Sequence, residues 1–209
     1  MDKYVFFDID GTLNETDRYA VAAYQKALKK RGIDASREDV IACIGMSPEG
    51  IIERIFGTLD DREREEWRAD IKKYEFAIME ETARTFEGIP EALAELKERG
   101  YKLVICSNAY PEHIEKVLDV LGIRRYFDII GSLDMGNSKV ETLKNLLKKY
   151  RPEAACLAGD RKFDIEAART NGIPVIGCAY GYAPEEIQTA DIVVGRAFEI
   201  PAAVAELLG

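Results

Sequence analysis

The residues best suited to chemistry are carboxylates that follow short apolar runs. Asp8 and Asp10 come directly after Tyr4–Phe7, and Asp160 and Asp164 follow a later apolar run. In an extended segment, side chains two residues apart point to the same side, so Asp8 and Asp10 would face a common space. Carboxylates gathered in one place repel one another unless a cation neutralises them, and Mg²⁺ takes oxygen ligands. The pattern therefore predicts a divalent-cation site with Mg²⁺ as the cofactor.

The pair Asp8-x-Asp10 also suggests a division of labour. A carboxylate can attack phosphorus without first losing a proton, so Asp8, nearest the strand end, suits a nucleophile. Asp10, further out, could protonate the leaving oxygen and then take a proton from the water that hydrolyses an aspartyl-phosphate. Lys139, at the start of a predicted helix, would offset phosphoryl charge and orient Asp8. The groups expected to hold phosphate oxygens belong to Gly11, Thr12, Ser107 and Asn108.

The elements that must position these residues alternate along the chain. Short apolar runs separated by amphipathic stretches predict an α/β fold, a Rossmann-like parallel sheet with helices on both faces. Ligands of such sheets bind outside the carboxyl ends of the strands, which is where the carboxylates fall. The predicted strands are Tyr4–Phe7, Lys102–Cys106, Phe127–Ile130, Ala154–Ala158, Ile173–Gly177 and Asp191–Val194. The predicted core helices are Ile89–Arg99, Pro111–Leu121, Lys139–Tyr150, Asp164–Asn171 and Ala202–Leu208.

A long segment between the first two strands has helical patterns only. A crossover between parallel strands needs roughly a dozen residues, so the excess predicts an inserted all-helical cap domain. We expect residues 1–14 and 86–209 to form the catalytic core and residues 15–85 to form the cap. Hinges for cap opening are expected near Asn14–Thr16 and Arg84–Gly88. The predicted cap helices are Asp17–Arg31, Arg37–Ile44, Pro48–Phe56 and Asp60–Ala83.

Composition restricts the function classes. The chain has 209 residues, with 29 Lys and Arg against 38 Asp and Glu and a net charge of −9, which disfavours nucleic acid and anionic membranes as partners. The single histidine, His113, excludes zinc sites built from several imidazoles and is expected to be structural. No apolar stretch approaches the ~20 residues of a membrane span, and no signal peptide is visible. We expect a cytoplasmic monomer or homodimer whose four dispersed cysteines are reduced.

Four segments resemble, in order, the motifs of the haloacid dehalogenase (HAD) superfamily of phosphotransferases. The resemblance covers the whole chain, including the helical insertion and the Tyr180-Gly181-Tyr182 turn, and is closest to phosphoglycolate-phosphatase-like members. It implies a Mg²⁺ bound by the Asp8 carboxylate, the Asp10 carbonyl and Asp160, with Asp164 close by. One departure is Val140, where the family often has proline after the lysine. The four segments are Phe6–Leu13, Ser107-Asn108, Lys139 and Gly159–Asp164.

Particular residues discriminate among members of this superfamily. Dehalogenases and phosphonate hydrolases lack an acid two residues after the nucleophile, so Asp10 argues against both. Ala20 stands where β-phosphoglucomutase-like mutases carry a cap histidine. The expected function is therefore a Mg²⁺-dependent hydrolase of a small phosphorylated metabolite, with phosphoglycolate, a nucleoside 5′-monophosphate or a sugar phosphate as candidates. A mutase, a pyrophosphatase and a catalytically silent metabolite-binding protein remain the alternatives.

Other interpretations of the same residues stay open at this point. The first motif has its glycine at the fourth position rather than the sixth of a calcium loop, which disfavours that interpretation. Asp160 and Asp164 could cap a helix as well as bind metal. The turn Gly45–Pro48 could be a plain connection between helices or a cap segment facing the active site. The side chains that could set specificity include Arg18, Met46, Ser47 and Arg54.

Overall fold

A parallel sheet forms the centre of the molecule in the computed structural model, which describes residues 2–209. Its strands are β1 (Lys3–Phe7), β2 (Lys102–Cys106), β3 (Ile129–Gly131), β4 (Ala154–Gly159), β5 (Val175–Cys178) and β6 (Ile192–Val194). All neighbouring strands are parallel, in the order β3-β2-β1-β4-β5-β6. The chain winds outward in both directions from β1 and β4, and a crevice at the carboxyl ends of these two strands is where such sheets bind ligands. The predicted α/β fold class is confirmed.

Residues 15–85, the insertion predicted between β1 and β2, contain four helices, as the sequence predicted. Leu28, Ile52 and Trp67 belong to an apolar cluster formed within this segment alone. The parts of this segment nearest the sheet belong to a different cluster, because Tyr19 and Met79 are fully buried in the main core with residues of the sheet. The helices are α1 (Asp17–Lys29), α2 (Arg37–Ile41), α3 (Pro48–Phe56) and α4 (Asp61–Thr82).

The remaining helices cover both faces of the sheet. Alternate β1 residues divide between the faces: Val5 and Phe7 pack in the cluster that includes residues of α5, α6 and α9, and Phe6 packs in the cluster that includes residues of α7 and α8. This alternation follows from the two-residue period of a strand. These helices are α5 (Ile89–Glu98), α6 (Pro111–Val120), α7 (Lys139–Tyr150), α8 (Lys162–Thr170) and α9 (Ile200–Leu208).

Some boundaries differ from the predicted ones for identifiable reasons. Helix α8 begins at Lys162, two residues before the predicted start, because the Asp164 carboxylate accepts a hydrogen bond from the Arg161 N–H and caps the first turn. Strand β3 begins at Ile129, two residues after the predicted start. The Leu103 N–H of β2, which would pair with the backbone of a longer β3, donates instead to the Asp128 side chain. These shifts are of the size expected for element ends.

Two properties bear on the expectations from composition. The four cysteines are buried free thiols. Across residues 2–209, no helix combines the length and the apolar composition needed to cross a bilayer.

Candidate active site

Asp8 lies at the end of β1, where its backbone N–H still donates to the Ala158 carbonyl of β4, at 3.0 Å. Its side chain is 1% exposed. The Oδ1 atom lies 2.8 Å from Lys139 Nζ, whereas Oδ2 has no hydrogen-bond partner within residues 2–209. A buried carboxylate oxygen without a partner is costly, and it is the feature expected of an atom that binds a ligand.

Lys139 holds two of the carboxylates together. Its Nζ donates to Asp164 Oδ1 at 2.7 Å and lies beside Asp8, and the residue is 2% exposed. Burial alone would lower the pKa of this lysine, but the negative charges of Asp164 and Asp8 outweigh burial and raise the pKa. The position is set locally, because the Ser138 side chain caps α7 by accepting from the Glu141 N–H, so that Lys139 opens the helix.

Asp160 occupies a cradle that two glycines make possible. A Cβ on Gly11 would lie 2.3 Å from Asp160 Oδ2, and a Cβ on Gly181 would lie 2.3 Å from Asp160 Cβ. The Tyr182 N–H donates to Asp160 Oδ2 at 2.9 Å, and Thr12 Oγ1 donates to Oδ1 at 3.3 Å. The absence of side chains at both glycines is therefore what lets the Asp160 carboxylate reach the site.

Asp164 is committed to partners within the chain. One oxygen accepts from Lys139, and the other accepts from the Arg161 N–H at 3.0 Å. A Cβ on Gly159 would lie 2.0 Å from Asp164 Cγ, so this carboxylate also depends on a glycine for its position. The geometry therefore makes Asp164 a support for Lys139 at least as much as a ligand group.

The three aspartates Asp8, Asp160 and Asp164 could hold a metal ion. Each offers an oxygen, and the three oxygens lie within 4.8 Å of one another. Burial, and next the charge of Asp164, raises the pKa of Asp160 to about 7. Burial likewise raises the pKa of Asp8 well above its ordinary value, despite the opposing charge of Lys139. The single ammonium group of Lys139 does not balance the three carboxylates of this buried cluster. The donor set consists of oxygens and includes an Asp8 oxygen that has no partner among residues 2–209, which fits Mg²⁺.

Asp10 lies outside this cluster. Its Oδ1 accepts from Thr16 Oγ1 at 2.7 Å and lies 3.6 Å from His113 Nε2. Burial would raise the pKa of Asp10, but the charge of the nearby His113 and the hydrogen bond from Thr16 lower it overall. The Asp10 carboxylate is therefore not placed with the three metal-binding candidates, and only its backbone carbonyl remains for the metal role implied by the resemblance.

His113, which was expected from the sequence to be structural, lies in the site. It stands between Asp10 of the core and Glu75 of helix α4, with Nδ1 3.4 Å from Glu75 Oε2. Burial would lower the pKa of His113, but Asp10 and Glu75 together raise it well above its ordinary value. The sequence does contain a signal that could have placed His113 in the site. It lies five residues after Asn108, at the start of the helix that follows the second motif.

The other predicted phosphate-binding residues lie around the same crevice. Thr12 and Ser107 are buried, and Ser107 Oγ accepts from the Ala109 N–H at 3.1 Å. Asn108 Nδ2 donates to the Gly45 carbonyl of the helical insertion at 3.1 Å. Of the two interpretations of the Gly45–Pro48 turn, the structure therefore favours a segment that faces the site.

A second contact joins this turn to the core. Arg161 donates to the Ile44 carbonyl and, through Nε, to Glu186 Oε2 at 2.9 Å. Gly45 has a φ of +84°, and a Cβ there would lie 3.0 Å from Arg161 Cγ. Asn108 and Arg161, which belong to the second and fourth of the four motif segments, thus hold the same turn of the insertion over the sheet edge.

A cavity of about 400 Å³ lies between the insertion and the sheet edge. Asp10, Asn108 and His113 line its core side. Met46, one of the side chains that could set specificity, lines its insertion side. Arg18 and Arg54 do not line it, and Ser47 caps helix α3 by accepting from the Gly50 N–H. The arrangement provides a buried carboxylate cluster at the end of β1 with a ligand-sized space beside it.

Comparison with known proteins identifies the family. The model of haloacid dehalogenase-like hydrolases matches residues 5–178. A phosphoglycolate phosphatase of Aquifex aeolicus is 30% identical over 93% of this chain and 92% of its own length. The pyrophosphatase PpaX of Listeria welshimeri is 29% identical over 88% of this chain and 86% of its own. A crystal structure of a predicted phosphatase from Clostridium acetobutylicum aligns with a TM-score of 0.88 at 23% identity, covering 99% of this chain and all of that one. The chain belongs to the haloacid dehalogenase-like hydrolase family.

Proposed function

We propose that this chain is a Mg²⁺-dependent phosphomonoester hydrolase that acts on a small phosphorylated metabolite through an aspartyl-phosphate on Asp8. Its family and its phosphatase relatives class it as a phosphatase. Beyond this class, we propose the metal, the covalent intermediate and the residue roles. The observation that carries it is the buried Asp8 carboxylate, which has one oxygen beside Lys139 and the other without a partner among the described residues.

The chemistry would proceed in two displacements. An oxygen of Asp8 attacks phosphorus while the bond from phosphorus to the leaving oxygen breaks, and the leaving oxygen takes a proton from Asp10 and departs as the alcohol. Asp10 then accepts a proton from a water molecule that attacks the aspartyl-phosphate and releases inorganic phosphate. Lys139 stays charged throughout and stabilises Asp8 and the phosphoryl oxygens. A Mg²⁺ held by Asp8, Asp160 and the Asp10 carbonyl, with Asp164 beside it, would neutralise phosphoryl charge.

The lowered pKa of Asp10 bears on its two roles. An ionised Asp10 is ready to act as the base in the second displacement. The acid role requires Asp10 to gain a proton first. A substrate phosphate arriving nearby favours that protonation, because a neighbouring negative charge raises the pKa of a carboxyl group.

We also propose that residues 15–85 act as a cap on a core of residues 1–14 and 86–209. The two connections meet where Asn14 forms a bridge with Thr85 and the Glu15 N–H donates to the Arg84 carbonyl at 2.9 Å. Hinge motion at these connections would open the cavity to substrate and exclude water when closed. The shared burial of Tyr19 and Met79 with the core limits the motion to the outer part of the insertion.

Pyrophosphate hydrolysis is the second candidate, favoured by the similarity to pyrophosphatase PpaX. A mutase activity is disfavoured, because Ala20, on the cavity wall, offers no group for proton transfer. A protein that only binds phosphometabolites would gain nothing from a nucleophile next to an acid.

The test is hydrolysis of p-nitrophenyl phosphate with Mg²⁺, with EDTA, and by Asp8→Asn. We expect the rate to fall at least about 10³-fold in the last two, because each removes a component of the first displacement. Asp119→Asn, an exposed carboxylate on α6, is the matched control and should keep the wild-type rate. Equal rates of p-nitrophenyl phosphate hydrolysis in all samples would refute the proposed enzyme activity. If pyrophosphate is hydrolysed in a parallel assay and p-nitrophenyl phosphate is not, the second candidate is selected.

A further inference from the structure

We infer that the preferred substrate is a phosphomonoester whose leaving alcohol is uncharged and carries an apolar or aromatic body, so that phosphoglycolate and pyrophosphate are poor substrates. This inference rests on the proposed function and concerns the cavity between the insertion and the sheet edge. The leaving group must enter that cavity, because Asp10, the proposed proton donor to the leaving oxygen, lines its wall.

The wall that faces the leaving group is mainly apolar. It is formed by the insertion, whose aromatic side chains Tyr24, Trp67 and Phe76 line the cavity together with Ile52 and Met46. Tyr24 and Trp67 pack edge to face with ring centroids 5.7 Å apart, which fixes their orientation. A space of about 400 Å³ with such walls suits a drug-sized or nucleoside-sized body rather than a two-carbon acid.

Each cationic side chain on the cavity wall already has an acidic partner. Arg68 lies 2.7 Å from Glu112 and stacks on Tyr110 with its guanidinium carbon 3.8 Å from the ring centroid. Lys72 lies 3.7 Å from the same Glu112 carboxylate, and Arg64 pairs with Glu49.

The fourth cation, His113, is shared by Asp10 and Glu75. Acidic groups on the wall outnumber basic ones, with six carboxylates facing these four basic side chains. The acidic groups are those of Asp10, Glu49, Asp61, Glu65, Glu75 and Glu112.

This charge balance works against a leaving group that carries its own negative charge. The carboxylate of phosphoglycolate or the second phosphate of pyrophosphate would lose water on entry and would have to compete with Glu112 or Glu75 for a cation. An uncharged body meets no such cost and gains from contact with Trp67 and Phe76. The cavity thus discriminates through the charge of the leaving group.

The test compares phenyl phosphate with 4-carboxyphenyl phosphate, which have the same ring and differ by one negative charge, and with 2-phosphoglycolate, all with Mg²⁺. We expect kcat/KM for phenyl phosphate to exceed that for 4-carboxyphenyl phosphate at least tenfold and that for 2-phosphoglycolate by about 100-fold, the scale of an unpaired charge in a partly desolvated site. Equal or higher kcat/KM for either charged ester would overturn the inference while leaving the hydrolase intact. No turnover of any ester would overturn the proposed function and the inference with it.

Two variants on helix α6 test whether the charges on the cavity wall cause this preference for an uncharged leaving group. Glu112→Gln removes the carboxylate that holds Arg68 and Lys72, so it should shift the ratio of kcat/KM values toward 4-carboxyphenyl phosphate by about tenfold. Glu115→Gln is the matched control, because Glu115 pairs with Arg124 away from the cavity, and it should leave the ratio unchanged. An identical ratio in the wild type and Glu112→Gln would contradict the account of the cavity charges.

Discussion

The ammonium group of Lys139 lies 2.8 Å from Oδ1 of Asp8, and both residues are almost fully buried. The same ammonium group donates to Asp164, so one positive charge serves two carboxylates. This contact orients Asp8 while leaving its other oxygen free of hydrogen bonds from residues 2–209. The arrangement separates the positioning of the nucleophile from the atom that reacts.

Removing the Lys139 charge should destabilise the protein. Lys139→Met leaves Asp8 and Asp164 buried without a counter-charge, which should lower the free energy of unfolding by about 3–5 kcal/mol in EDTA. Urea unfolding at pH 7 measures this loss. Lys144→Met, an exposed lysine on the same helix, is the control and should change the free energy by less than about 0.5 kcal/mol. A wild-type stability for Lys139→Met would mean that the buried carboxylates do not depend on this charge.

A methyl group at Gly181 should weaken Mg²⁺ binding. The added Cβ would lie 2.3 Å from Asp160 Cβ and 2.6 Å from the Gly11 carbonyl oxygen, so the Asp160 carboxylate must move. We expect Gly181→Ala to raise the Kd for Mg²⁺ at least about tenfold in a calorimetric titration. Gly195→Ala, whose Cβ would meet nothing closer than 3.9 Å, should bind Mg²⁺ as the wild type does. Unchanged affinity in Gly181→Ala would argue against Asp160 as a ligand.

The contact between His113 and the carboxylates of Asp10 and Glu75 should appear as energetic coupling. His113→Ala leaves the two carboxylates without the cation between them, and Glu75→Gln removes one of these charges. The double variant should therefore be more stable than the sum of the single effects by about 1–2 kcal/mol in urea unfolding at pH 7. Additive effects would show that the imidazole does not link the insertion to Asp10.

The pH dependence of stability should reveal the ion pairs of Asp70 in the insertion. Burial alone would raise the pKa of Asp70, but the hydrogen bonds and charges of Lys30 and Arg31 lower it overall. A carboxyl group whose pKa is lower in the folded state stabilises the protein above its unfolded pKa of about 3.9, and this stabilisation is lost as the pH falls through the folded pKa.

Asp70→Asn should accordingly cost about 1–2 kcal/mol at pH 7, because Arg31 is 20% exposed whereas Lys30 is 59% exposed and contributes less. The difference from the wild type should be constant between pH 8 and about 5 and should shrink below about pH 4. Asp34→Asn, whose carboxylate is 84% exposed beside Lys29, is the control and should match the wild type throughout. A difference that stays constant down to pH 3 would show that ion pairing is not its source.

The sequence predicted the parts of the fold that follow from local periodicity and strand ends. Apolar runs followed by acids placed Asp8 and Asp160 at one sheet edge, and the observed pairing of β1 with β4 brings them together. The same principle could not place the Asp10 side chain. Its two-residue spacing from Asp8 predicts a shared side of an extended segment, whereas its partners Thr16 and His113 come from the following turn and from helix α6.

The role of Glu75 could not be predicted for a different reason. It lies in a 22-residue helix rich in charged side chains, where nothing local separates it from its exposed neighbours. Its burial and its contact with His113 depend on how the insertion sits against the core, which helix periodicity does not specify. Asp70, on the same helix, is another acid whose burial depends on such tertiary packing.

The stereochemistry of transfer tests the covalent intermediate on Asp8 most directly. A phenyl phosphorothioate whose two non-bridging oxygens are different isotopes can be hydrolysed with Mg²⁺ in water of the third oxygen isotope, and the configuration of the chiral inorganic thiophosphate can then be determined. Two successive in-line displacements, first by the aspartate and then by water, predict overall retention of configuration at phosphorus. Inversion would mean that water attacks the substrate directly, and it would contradict the account.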